Sequence, residues 1–532
     1  MKPWNRFCLL ACLTIWTVLA TVTFAETPDA MVRYRDEYQL DSLGNARITR
    51  TMQFPPSIYA SVKRKTQDPM MLSRSLAAQM DWHEIKILSS QFQDAQCQVV
   101  LELEQQGLAR TIGKGEWEIR SKAPAGQMEL ITCCEDRVVF HGAAQSEWGP
   151  MSATFRLQLP PTFRNVHFDT KANAIRYQAE PLAEAAELTS RTWQLETAPR
   201  LMSSLAKVYG DEQFGQLWTA RSLFCNSDDQ PIEKFQIRFR LEGYSSWSPW
   251  KRTPIVYPGQ TVVEAFFPVL DIDQMSQMDG SRQASLLAEY RYVDAEGNQI
   301  EESDSARIQI LARNEVVFSR HAANDAVNWE EANEFLPMVL ASFCTSNDPV
   351  IQQLAGRISG MANGPAASLA NEDAVRYLAA TWKFLEDNQV AYQTSPSLNV
   401  DQHFGQHIKY ARDVLKNKAG TCIDLAVFWA STAKAVGLKS YVVVIPGHAF
   451  PVIELPNGSR IPVEATLLGK GHTLEQAVSK GNQELEEAMQ GVHFLVDVQQ
   501  YQDSGVRPLD LERVSEDFFE KLDYTFQPMD QE

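Results

Sequence analysis

Residues 419–466 read AGTCIDLAVFWASTAKAVGLKSYVVVIPGHAFPVIELPNGSRIPVEAT, and this stretch restricts the fold more tightly than any other. Thr421 is a suitable N-cap, CIDLAVFWASTAKAVG has helical apolar spacing, and Gly437 closes it. KSYVVVIPG is an apolar strand, AFPVIEL begins a second, and RIPVEATLL reads as a third. Three chemically capable side chains interrupt this apolar run. Cys422 opens the helix, His448 opens a strand and Glu464 sits late in the next one, at intervals of 26 (448 − 422) and 16 (464 − 448) residues.

Each position has an ordinary explanation alone: a buried thiol, a structural histidine, a solvent-facing glutamate. Their order is more specific. The unpaired N–H groups and dipole of a helix start stabilise a thiolate, the nucleophilic form of cysteine, and those N–H groups can hold a developing oxyanion. Gly420 permits close approach beside Cys422. Asp424 is expected to act as a first-turn acid or as the partner of a basic group. An imidazole at His448 can take the thiol proton and return it to a leaving group. A carboxylate among Val463, Ala465 and Leu467 needs a partner, and orienting His448 would supply one. Gln406, placed on the face of a helix preceding Cys422, is a candidate oxyanion donor and equally a solvated or capping side chain. His403 and His407 have the i, i+4 spacing of metal ligands on a helix, but there is no intervening glutamate and Gly405 weakens the helix, so no metal is expected. No phosphate-binding glycine loop or other cofactor signature occurs in the sequence.

Gly420-Thr421-Cys422, Asp424-Leu425-Ala426, Gly447-His448-Ala449-Phe450 and Val463-Glu464-Ala465-Thr466 together resemble the transglutaminase-like superfamily, with its papain-like fold. The resemblance runs from about Ala374 to Leu509 and implies a nucleophile at Cys422, a base at His448 and an orienting acid at Glu464. Two positions depart from the family pattern: Glu464 stands where aspartate is more usual, and Phe450 where tryptophan is frequent. No acidic cluster resembles the calcium sites of animal transglutaminases.

At 532 residues the chain exceeds one core. Residues 1–25 carry Lys2 and Arg6, an apolar run from Phe7 and a small residue at Ala25, the order of a cleaved secretory signal. The competing interpretation is an N-terminal membrane anchor; LLAC at 9–12 has too few preceding apolar residues for lipidation. Residues 26–205 read as a β-rich domain, with a hairpin of VRYRDEYQL and ARITRTMQF about DSLGN and a polar helical stretch at 181–195. Residues 206–315 read as an immunoglobulin-like sandwich, in which Trp247, Trp250 and Arg252 could form an aromatic–cation ladder, either as a ligand platform or as edge packing. Residues 316–525 complete the expected architecture: a multidomain chain of two β-rich, sandwich-like domains followed by an α+β papain-like, transglutaminase-like domain. Outside the leader six cysteines remain, and Cys97 could pair with Cys133 or Cys134 or lie buried and unpaired.

A net charge of −18 excludes a general nucleic-acid binder. The expectation is a periplasmic or secreted cysteine enzyme acting on an amide or peptide bond of a protein or peptide substrate, with possible association with the cell envelope or a membrane surface. Hydrolysis is favoured over cross-linking to an amine. The alternative is a catalytically silent envelope scaffold or binding protein built on the same fold. Oligomeric state is not legible in the sequence.

Overall fold

The structure is a computed structural model that describes residues 31–65, 85–120, 128–146, 149–180, 193–320, 326, 329–394, 398–400 and 403–529. The leader assigned to 1–25 lies outside these residues, as does most of the helix expected at 181–195; its last three residues, Trp193 to Leu195, belong to a strand. Two compact units divide the chain: residues 1–198, 211–268 and 284–308 form one, and residues 199–210, 269–283 and 309–532 the other.

The first unit is built from many β-sheets. Its hairpin pairs Val32–Leu40 with Ala46–Gln53. At the turn Asp41 accepts from the backbone of Leu43 and Asn45. These strands lie inside a seven-stranded sheet, where alternate side chains such as Tyr38, Ile48 and Leu101 face the core. Arg50 and Asp36 form a buried bidentate pair at 2.9 and 2.8 Å on the same hairpin. Further along, a three-stranded sheet of Trp193–Thr197, Ala220–Cys225 and Thr261–Phe266 contacts a second sheet through Phe224 on Phe235 and Phe266 on Phe239. The aromatic–cation ladder forms with different cations from those expected. Arg238 lies 4.4 Å from the Trp247 ring and 4.5 Å from the Trp250 ring, and Arg291 stands 4.5 Å from Trp250. Arg252 is exposed. The cations come from the strands Ile232–Leu241 and Arg282–Val293, a cross-strand arrangement that linear proximity does not show. Cys97, Cys133, Cys134, Cys225, Cys344 and Cys422 are all free thiols, and of these only Cys344 is fully buried.

The second unit places its core around helices Pro349–Ala362, Asn371–Asp387, Ala411–Asn417 and Cys422–Ala435. Asp348 caps the first of these by accepting from Val350 N at 2.8 Å, with Pro349 at the first helical position. The same carboxylate grips Arg412 at 2.5 and 2.6 Å, fixing the short helix that precedes Cys422. The Cys422–Ala435 helix is buried on every side from Ile423 to Ala433. That explains its weak amphipathicity: it is a core helix rather than a surface one. It packs on an antiparallel sheet ordered Arg460–Pro462, His448–Glu454, Lys439–Ile445, Phe494–Asp497. Among the described residues no helix is long and apolar enough to cross a membrane.

Candidate active site

Cys422 owes its position to a capping box. The Thr421 hydroxyl accepts from Asp424 N, and Asp424 Oδ2 accepts from Thr421 N at 2.9 Å. Asp424 Oδ1 accepts from Lys409 N at 2.8 Å, so backbone donors occupy both its oxygens. Burial pushes this carboxyl above its usual range, against the opposing pull of hydrogen bonds from Lys409 and Thr421. Asp424 is thus a splint between the incoming segment and the helix start. A Cβ added at Gly420 would stand 3.1 Å from Asp424 Cβ, a tight approach that would press on the capping carboxylate. Cys422 itself stays partly exposed at the head of an otherwise buried helix.

His448 begins the second strand of a tight hairpin, paired with Ile445 across Pro446 and Gly447. Proline sets the first turn position, and Gly447 adopts φ of +83° at the second. The strand lies against the Cys422 helix. The Nε2 atom of His448 is 2.7 Å from Glu464 Oε2 and 3.3 Å from Glu484 Oε2. The Cys422 side chain lies close enough to the same imidazole to favour its charged form. The Phe450 ring stacks on the imidazole at 5.9 Å between centroids and a 29° tilt.

Glu464 lies just beyond the strand expected to contain it. Strand pairing ends at Pro462, one further backbone bond runs from Val463 N to Pro451 O at 3.0 Å, and Glu464 then caps a single 3-10 turn over Ala465–Leu467. Its Oε1 accepts from Thr466 N at 2.9 Å and from the Thr466 hydroxyl, leaving Oε2 for His448.

Burial alone would pull the His448 pKa down, but Cys422 and the acceptor oxygens of Glu464 and Glu484 beside the ring, with the charge of Glu464, push it up to about 12. Burial favours the neutral form of Glu464, yet the His448 hydrogen bond, with those of Glu484 and Thr466, holds it at about 2. Glu484 moves the other way: burial raises it, Glu464 adds to the rise, and His448 opposes.

Glu484 was not singled out by its sequence context. It sits on helix Leu474–Ala488, where the only cue is the small residues Ala477, Gly481 and Ala488 among charged ones. His448, Glu464 and Glu484 bring their ligating atoms within 4.8 Å of one another, close enough to hold a divalent cation. The imidazole–carboxylate hydrogen bonding already accounts for that convergence.

Gln406 is not on a helix. It lies half-buried on strand His403–His407, opposite Val316 of strand Glu315–Val317. His403 and His407 therefore occupy a strand, where the four-residue spacing loses the meaning it has on a helix. His407 Nε2 stands 3.8 Å from Glu315.

Cys422, His448, Glu464 and Glu484 all fall inside the segment recognised by one family description. Residues 351–489 match the transglutaminase-like superfamily. The matched transglutaminase-like domain thus contains the whole imidazole-centred cluster. Among solved structures, the chain aligns over 82% of its length with 67% of a Parabacteroides distasonis protein described as a "putative protease", at 8% identity and a TM-score of 0.18. That superposition is too loose to carry fold or function. No curated protein matches the chain.

Proposed function

We propose that this protein is an exported, cysteine-dependent acyl-transfer enzyme acting on an amide or peptide bond, with Cys422, His448 and Glu464 as its catalytic triad. The convergence of Cys422, at the start of a buried helix, on the His448 imidazole that is bonded to Glu464 at 2.7 Å carries this reading. Cysteine-dependent catalysis is common in the superfamily matched by residues 351–489, which adds support. In the proposed cycle the Cys422 thiolate attacks the carbonyl carbon while first-turn N–H groups hold the oxyanion. His448 gives its proton to the departing nitrogen as the C–N bond breaks, leaving an acyl thioester. Water then attacks, His448 takes its proton, and the C–S bond breaks to release the acid. An amine in place of water gives a cross-link. Gln406 is retained as a candidate oxyanion donor on its strand.

Under this proposal the domain adopts the papain-like α+β arrangement, the preceding sheets form two sandwich-like modules, and the substrate is a protein or peptide of the envelope or beyond. The leader at 1–25 would direct export to the periplasm or medium.

The alkylation rate of Cys422, followed against pH in the mature protein by site-resolved mass spectrometry, tests the triad. The expected result is fast reaction well below the free-thiol pKa of about 8.5, and its collapse in His448→Ala. A slow, ordinary thiol in both proteins would remove the enzyme and leave a binding domain.

A further inference from the structure

Three residues at helical spacing, Ala477, Gly481 and Glu484, lie on one face of the Leu474–Ala488 helix. That face is set directly on the chain that leads to Glu464. Glu464 N donates to Ala477 O at 3.1 Å. One turn further, a Cβ on Gly481 would stand 2.9 Å from the carbonyl carbon and oxygen of Pro462, so only glycine allows this approach. The next turn delivers Glu484. Its Oε1 faces Lys480 Nζ at 3.4 Å, and its Oε2 faces His448 Nε2 at 3.3 Å. That Oε2 atom is buried and makes no hydrogen bond of full geometry. A helix has been brought to backbone contact to present one carboxylate oxygen to an imidazole that already has a carboxylate partner.

We propose that Glu484 is a second carboxylate partner of His448, a positioning residue that with Glu464 holds the imidazolium between two acceptor oxygens. This inference rests on the acyl-transfer reading of Cys422. Among the described residues, the titratable and charged groups facing this centre are Cys422 from its helix, Glu464 from the turn after Pro462, and Glu484 with Lys480 behind it. Glu464 stays ionised, whereas burial and the neighbouring Glu464 raise Glu484, so Glu484 keeps its proton to higher pH than a free glutamate. On losing that proton Glu484 adds a second negative charge beside Nε2. His448 then keeps its own proton further into the alkaline range than Glu464 alone could arrange.

The charge on His448 can be read without a substrate. Cys422 is alkylated with neutral iodoacetamide and with anionic iodoacetate from mildly acidic to alkaline pH, in the wild type and in Glu484→Gln, Glu484→Asp and His448→Ala. An imidazolium beside the sulfur favours the anionic reagent, and that preference fades as the imidazolium loses its proton. In Glu484→Gln the midpoint of the fading moves to lower pH by about one unit. In Glu484→Asp, which keeps the charge, the midpoint stays nearer the wild-type value. If Glu484 serves only packing, the variants slow both reagents alike and the midpoint stays put, which overturns the proposal while leaving the triad intact. If the wild type shows no preference that depends on His448, the triad reading itself fails and Glu484 falls with it.

Discussion

The two carboxylate oxygens of Glu464 have separate tasks. Oε1 closes a backbone turn with Thr466, and Oε2 meets His448. Glu464→Gln keeps an oxygen for the turn but turns an amide donor toward an imidazole N–H. The fold should survive while the imidazolium loses its nearest anion. Alkylation of Cys422 at mildly acidic pH is expected to fall by about tenfold or more, with the circular dichroism spectrum unchanged. Cys422 and His448 were legible because each opens an element with strong local signals: a capping residue for one, a Pro-Gly turn for the other. Glu464 was legible as a residue but misplaced as to element, since the run RIPVEATLL alternates like a strand and the break at Pro462 outweighs that pattern. Glu484 was missed because nothing in a helix of mixed charges marks one glutamate as inward; its direction is set by packing on a segment some twenty residues earlier.

The same contrast holds for elements. The Cys422 helix and the Lys439–Ile445 and His448–Glu454 hairpin were readable from apolar periodicity and end signals, all local. The segment at 403–407 was not. HFGQH has no strand alternation, and its pairing with Glu315–Val317, some ninety residues away, is a tertiary decision that propensity does not record. The seating of the Leu474–Ala488 helix on the Glu464 segment, through Ala477 and Gly481, is likewise a tertiary contact. Gly481→Ala would force its new methyl against the Pro462 backbone at 2.9 Å, where the neighbour is main chain and cannot rotate aside. The helix must back away and take Glu484 with it. Overpacking of this kind is expected to cost about 1–3 kcal/mol in urea unfolding. If the helix stays in place, stability will be unchanged and the contact is looser than described.

For the second unit as a whole, the buried charges set a pH window. His448 is raised in the folded state, so its contribution is complete below the unfolded value of about 6.5 and is lost as pH rises toward about 12. Glu464 is lowered, so its contribution is complete above about 4.5 and is lost as pH falls toward about 2. Between these limits both are in force. Denaturant unfolding should therefore weaken from neutral to alkaline pH, and His448→Gln should flatten that slope. An equal slope in the variant would show that other groups govern the alkaline loss. The broad division into sheet-rich sequence followed by helical sequence was readable from periods of two and 3.6. The partners in the Trp247 and Trp250 ladder were not, because they come from other strands.

The Cys422 helix is enclosed by core on all sides, whereas the Leu474–Ala488 helix buries little beyond Ala477, Gly481 and Ala488. Local opening begins where buried contacts are fewest. Under stress the site would thus come apart in a fixed sequence: Glu484 swings away first, and Cys422 leaves last. A protein worn by heat or mild denaturant would pass through a stage with its sulfur still seated and its proton-handling residue detuned, dimmed before it is broken.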